Sequence, residues 1–133
     1  MIELIDVNYR IDEYAILTEI NLKIPTGECV LLAGESGSGK TTLTQLINGL
    51  IPHFYSCGQL DGGVCIQGVP VAETRMYKLA EKIGNVFQNP KSQFFYTDSS
   101  AEIAFGLENR GVQPDKIRKR IVTTANDLEI ENL

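Results

Sequence analysis

One decapeptide, Gly34-Glu-Ser-Gly-Ser-Gly-Lys-Thr-Thr-Leu43, constrains this chain more than any other stretch. Before it stands Cys29-Val-Leu-Leu-Ala33, short and wholly apolar, which suits a strand buried on both faces of a sheet. After it, Leu43, Leu46, Ile47 and Leu50 recur at three- and four-residue steps, the period of an amphipathic helix. A strand, a glycine loop and a helix in that order are the context in which the pattern G-x-x-x-x-G-K-[ST] cradles phosphate.

The chemistry of that loop is specific. Glycines without β-carbons let backbone N–H groups turn inward and approach an anion. The helix that starts at the loop adds about half a positive charge at its N-terminus. Gly34, Glu35, Ser36, Gly37, Ser38, Gly39, Lys40, Thr41 and Thr42 are therefore the candidate nucleotide-binding residues. Within them Lys40 is expected to reach the β- and γ-phosphates and the Thr41 hydroxyl to ligate Mg²⁺.

Around the loop the reading is mixed α/β. Residues 2–7 and 16–24 carry aliphatic side chains at near-alternating positions, as half-buried strands do. Pro25-Thr26-Gly27 is a turn, residues 52–63 a loop and residues 62–71 a further strand with a turn. A short helix lies between Glu73 and Lys82, and residues 83–87 read as another inner strand. Cys29 and Cys65 thereby fall inside strands. Beyond Pro90 the pattern turns helical. Ser99 and Glu102 have capping-box spacing, so a helix starts near Ser100 and stops near Arg110-Gly111. Pro114 and Asp115 open a last helix with the stripe Ile117, Ile121, Val122, Ala125 and Leu128.

Composition narrows the function classes. With 43% hydrophobic and 22% charged residues, the chain reads as a soluble globular protein. Its net charge of −5 argues against nucleic-acid binding, which needs clustered Lys and Arg. The one basic run, Lys116 to Arg120, is flanked by Asp115, Asp127, Glu129 and Glu131 and reads as a solvated helix face. The N-terminus lacks the basic start and apolar run of a signal peptide, so a cytoplasmic location is expected. Three cysteines without a CxxC pair suggest neither a disulfide framework nor a zinc site. His53 is the sole histidine and cannot form a metal site alone.

Taken together, INLKIPTGECVLLAGESGSGKTTLTQLINGL and IGNVFQNPKSQFF resemble the ATP-binding cassette (ABC) domain of membrane transporters. FQNPKSQFF followed by AEIAFGLENRGV looks most like the ATPases of energy-coupling-factor importers, which serve vitamins or cobalt and nickel ions. The resemblance covers essentially the whole chain. It implies a P-loop NTPase-like, partial ABC ATPase core with an antiparallel β edge over residues 1–90, and the start of a helical subdomain over 91–133. Residues 34–42 match the Walker A motif. Gln88 matches the Q-loop glutamine, which in the family helps hold Mg²⁺ and the attacking water and couples nucleotide state to the membrane subunits. Gln93 matches a second glutamine common in the importer subgroup.

The resemblance also implies ATP and Mg²⁺ as cofactors and two kinds of partner, integral-membrane transporter subunits and a second ATPase subunit. It places the protein at the inner face of the cell membrane. Where the family usually stacks adenine on an aromatic residue, this chain has Ile11. Tyr9 and Tyr14 flank that position, and each is either a substitute for it or a strand-edge packing residue.

Over residues 1–133 the family's signature, its Mg²⁺-binding Asp, its catalytic Glu and its switch histidine have no match. ANDLEIENL, residues 125–133, is the kind of segment that precedes the signature. No catalytic residue is thus expected within these residues, and they should bind ATP with little turnover. The strand that bears the missing Asp would lie between 29–33 and 83–87, leaving both with open edges. Two alternatives stand beside this reading, a regulatory nucleotide-binding module without hydrolysis and a soluble, non-transport P-loop ATPase.

Overall fold

The structure, a computed structural model, describes residues 1–130. The last three residues of the ANDLEIENL segment lie outside them. The chain divides into two compact units, Met1–Asn85 and the residues from Val86 onward.

In the first unit, β1 (Ile2–Ile11) and β2 (Tyr14–Ile24) form a long antiparallel hairpin. β3 (Gln59–Ile66) pairs with the other edge of β1, and the two-residue β4 (Val69–Pro70) closes the order β2-β1-β3-β4. The sheet is antiparallel throughout.

A break in the β1–β2 ladder decides which side chains reach the core. Strict alternation from Leu4 would send Asp6 and Asn8 inward, where their polar groups would cost free energy. Instead Asp6 and Glu19 both adopt positive φ, at 46° and 50°, and the register slips between Leu4 and Val7. The slip is clamped by amides. Asn21 Oδ1 accepts the Asp6 N–H at 3.0 Å, and Asn8 Oδ1 accepts the Glu19 N–H at 2.9 Å. Past this bulge Val7 and Tyr9 face inward and are buried.

Onto that inner face pack Leu43 and Leu46 of α1 (Lys40–Ile47), together with Ile51 of the short α2 (Leu50–His53). Leu79 of α3 (Met76–Leu79) joins the same cluster. The expected helix through Leu50 is broken at Gly49, whose φ of 81° ends α1 and caps α2. A β-carbon there would meet Leu79 Cδ1 at 2.7 Å, so the break is also a point of close packing. His53, the sole histidine, lies with Nε2 3.1 Å from the Val71 carbonyl oxygen.

Two expectations fail. Residues 29–33 and 83–87 are not strands, and no described residue offers either one a ladder partner. Leu31 is 90% exposed and Val86 82% exposed. An apolar run encodes a preference for burial, but a strand needs a second backbone to bond to. Cys29 is consequently exposed and outside any strand, whereas Cys65 does lie in β3 and is half-buried. β3 also begins earlier than expected, within the segment read as a loop.

The second unit contains α4 (Ser99–Glu108) and α5 (Pro114–Asp127), preceded by a 3-10 turn at Pro90–Gln93. Asp98, not Ser99, caps α4, its carboxylate accepting the Ala101 N–H at 2.8 Å. At the other end Gly111, with φ 66°, lets Val112 N–H return to the Leu107 carbonyl at 3.1 Å. Of the α5 stripe, Ile117 is buried, Ile121 and Ala125 are half-buried, and Val122 and Leu128 are exposed. Among the described residues, no helix is long and apolar enough to cross a membrane.

Candidate functional site

The glycine loop, residues 34–39, leads directly into α1. Gly37 and Gly39 take φ of 84° and 83°, the left-handed region in which a side chain is strained. Gly39 is the N-cap of α1, and no side chain caps the helix there. The first-turn N–H groups of a helix have no partner within it. No acidic residue stands in the first turn of α1 to compete for them.

Gly39 also anchors the loop to the sheet. A β-carbon on it would lie 2.9 Å from Leu17 Cδ2 and 3.0 Å from the Ile16 carbonyl oxygen. No sequence pattern pointed to this contact, because it depends on how α1 sits over β2. Gly37 differs, since a β-carbon there would meet nothing within 4 Å.

Lys40 turns back over the loop. Its Nζ donates to the Gly34 carbonyl at 2.8 Å, to the Glu35 carbonyl at 2.5 Å and to Ser38 Oγ at 3.2 Å. All three ammonium protons are thus spent on the loop, which has one internal backbone bond, from Ser38 N–H to Glu35 O at 3.2 Å. Residues 34–38 and Thr41 are exposed and Thr42 is half-buried. A cation-bearing glycine loop at a helix N-terminus suits an oxyanion.

The donor set also suits magnesium. Mg²⁺ is commonly held by a few protein oxygens with phosphate and water supplying the rest, and Thr41 presents its hydroxyl at the start of α1. Among the described residues no group of three His, Cys, Asp or Glu is arranged for a metal.

The two tyrosines part company. Tyr9 is 2% exposed and buried in the core of the sheet. Its ring lies so close to Gly58 that a β-carbon on that glycine would sit 2.3 Å from the phenol oxygen. Burial, then the charge and the hydrogen bond of Cys57, raise its pKa above the ordinary value. Its ring faces are occupied by packing, so it has none to lend to a ligand. Tyr14 is 76% exposed at the start of β2, two residues along the strand from Ile16, whose carbonyl faces Gly39.

Gln88 belongs to the second unit and is exposed. The backbone beside it is held by side chains. Gln93 Oε1 accepts the Phe87 N–H at 3.0 Å. Glu102 Oε2 accepts the N–H groups of Phe95 and Tyr96, each at 3.0 Å. Sequence spacing had paired Glu102 with Ser99 in a capping box. The carboxylate instead reaches past the helix start to the aromatic segment before it.

Residues 17–132 match the family model described as ABC transporter. A Treponema denticola protein is 52% identical over 117 residues, which cover 88% of this chain and 24% of that protein. A Methanosarcina mazei protein is 40% identical over 131 residues, 98% of this chain and 22% of its own. Both carry the name "Putative ABC transporter ATP-binding protein". A similarly described Pyrococcus horikoshii protein is 43% identical over 124 residues, 91% of this chain and 43% of its own. The chain thus spans a minor part of the length of the curated relatives it matches. With the greater part of its residues matched, the chain belongs to the ABC transporter family.

Proposed function

We propose that residues 34–42 hold the phosphates of Mg-ATP and that the chain is part of the ATP-binding subunit of a membrane importer. One observation carries this reading: Lys40, the left-handed Gly37 and Gly39 and the uncapped N-terminus of α1 converge on a single loop. In the proposed site, Lys40 turns its ammonium toward the β- and γ-phosphates, and the amides of residues 35–42 complete the cradle. The Thr41 hydroxyl is the metal ligand that the loop would supply, and the family resemblance assigns the Gln88 amide oxygen the same role. Magnesium, when bound, neutralises charge on the phosphate oxygens. Tyr14 is the residue proposed to lie against adenine.

The FQNPKSQFF segment supports assignment to the energy-coupling-factor type of importer. On that assignment the partners are integral-membrane subunits and a second ATPase subunit, and the protein works at the cytoplasmic face of the membrane. Gln88 would then both orient water and pass nucleotide state to the membrane subunits.

Phosphoryl transfer to water depends on a group that positions the nucleophile. Residues 1–133 hold no carboxylate matching the one that does so in the family. These residues by themselves should bind Mg-ATP saturably, with turnover below about 1 s⁻¹, the low end of common enzymes. Titration with Mg-ATP beside a phosphate-release assay tests this. Absence of binding, or turnover well above that rate, would overturn it.

A further inference from the structure

The segment Phe87–Tyr96 is exposed over most of its length, yet its backbone is pinned at both ends by side-chain acceptors. At one end Gln93 Oε1 takes the N–H of Phe87, the residue before Gln88, at 3.0 Å. The 3-10 turn Pro90–Gln93 brings Gln93 back to that point. At the other end a single oxygen, Glu102 Oε2, takes the N–H groups of Phe95 and Tyr96. Glu102 is carried by α4, whose own start is secured by Asp98. The Phe105 ring adds a second hold from the same helix. It stacks on Phe95 at a centroid distance of 4.7 Å and meets Tyr96 edge-on at 5.9 Å.

We infer that Gln93 and Glu102 are positioning residues that fix the backbone carrying Gln88, so that its side chain is presented to the metal in one orientation. The inference rests on the proposed role of Gln88 and extends it to two residues that touch neither nucleotide nor metal. Three physical points support it. A backbone N–H held by a carboxylate or amide oxygen loses torsional freedom on both sides of the peptide. Both Glu102 bonds are charge-assisted and so stronger than neutral ones. Gln88 lies in neither a strand ladder nor a helix, so side-chain acceptors on the neighbouring backbone contribute to its order. Groups that orient a metal ligand without touching the metal commonly change affinity by about 10–100-fold.

The experiment uses the full-length protein and two readouts. Amide hydrogen exchange at Phe87 is measured in the unaltered protein, in Gln93→Leu, which keeps bulk but removes the acceptor, and in Gln93→Glu, which restores an acceptor oxygen. Exchange at Phe95 and Tyr96 is measured for Glu102→Leu and Glu102→Gln in the same way. We expect at least a tenfold acceleration in each leucine variant, with recovery in Gln93→Glu and Glu102→Gln. The second readout is the gain in ATP affinity on adding magnesium, compared in Gln88→Ala, Gln93→Leu and the double variant. Gln93→Leu is expected to lose about tenfold of that gain, and the double variant no more than Gln88→Ala alone. Unchanged exchange at Phe87 in Gln93→Leu overturns the clamp. Losses that multiply in the double variant overturn its action through Gln88. If Gln88→Ala leaves the magnesium gain intact, the metal reading of Gln88 fails, while the exchange data still decide the clamp.

Discussion

The Lys40 ammonium lies 2.8 Å from the carbonyl oxygen of Gly34, so the lysine spans the glycine loop from its helix end to its first residue. That placement puts one full charge over the loop mouth. Hydrogen bonds to charged groups are worth about 1.5–3 kcal/mol, so Lys40→Ala should weaken ATP binding by about 10–100-fold. Calorimetric titration checks this, with the thermal unfolding midpoint as a control for folding.

Gly37 and Gly39 share the same backbone region but not the same surroundings. Gly39→Ala adds a β-carbon 2.9 Å from Leu17 Cδ2 on top of the left-handed penalty. It should cost about 2–4 kcal/mol of stability, the sum of strain and overpacking. Gly37→Ala meets open space and should cost about 1–2 kcal/mol, the strain alone. Urea midpoints of the two variants separate the terms.

At the start of α4, Asp98→Ala should cost about 1 kcal/mol by removing the acceptor for the Ala101 N–H. Ser99→Ala should be close to neutral, because Ser99 is not the cap. A capping box at Ser99 would reverse that order.

Tyr9 makes stability fall in alkali. Its pKa is raised in the folded state, first by burial and then by Cys57. Above about pH 10, the unfolded phenol ionises while the folded one resists. The folded state then binds more protons, so stability is complete below that pH and declines as pH rises through the folded value. Tyr9→Phe should flatten the alkaline limb of a stability–pH curve without moving its neutral part.

The loop and the helix after it were legible because they rest on local chemistry. The glycines, the lysine and the Leu43–Leu46 step each act within a few residues. The hairpin strands were legible in kind but not in phase. The slip at Asp6 and Glu19 turns Val7 and Tyr9 inward, and its cause is a pair of asparagine clamps across two strands. The fate of Tyr9 was therefore hidden in a register that no single strand encodes. Residues 29–33 misled for a related reason, since hydrophobicity is written in one segment and pairing requires two. Gln93 and Glu102 were visible as residue types, but the N–H groups they accept from lie six or seven positions away.

If residues 34–42 hold phosphate, titration with Mg-ATP should move the backbone amide resonances of the loop. Saturable shifts concentrated at Gly37, Gly39, Lys40, Thr41 and Thr42 are expected, largely abolished in Lys40→Ala. Shifts confined to other parts of the chain, or a Lys40→Ala protein that responds like the unaltered one, would contradict it.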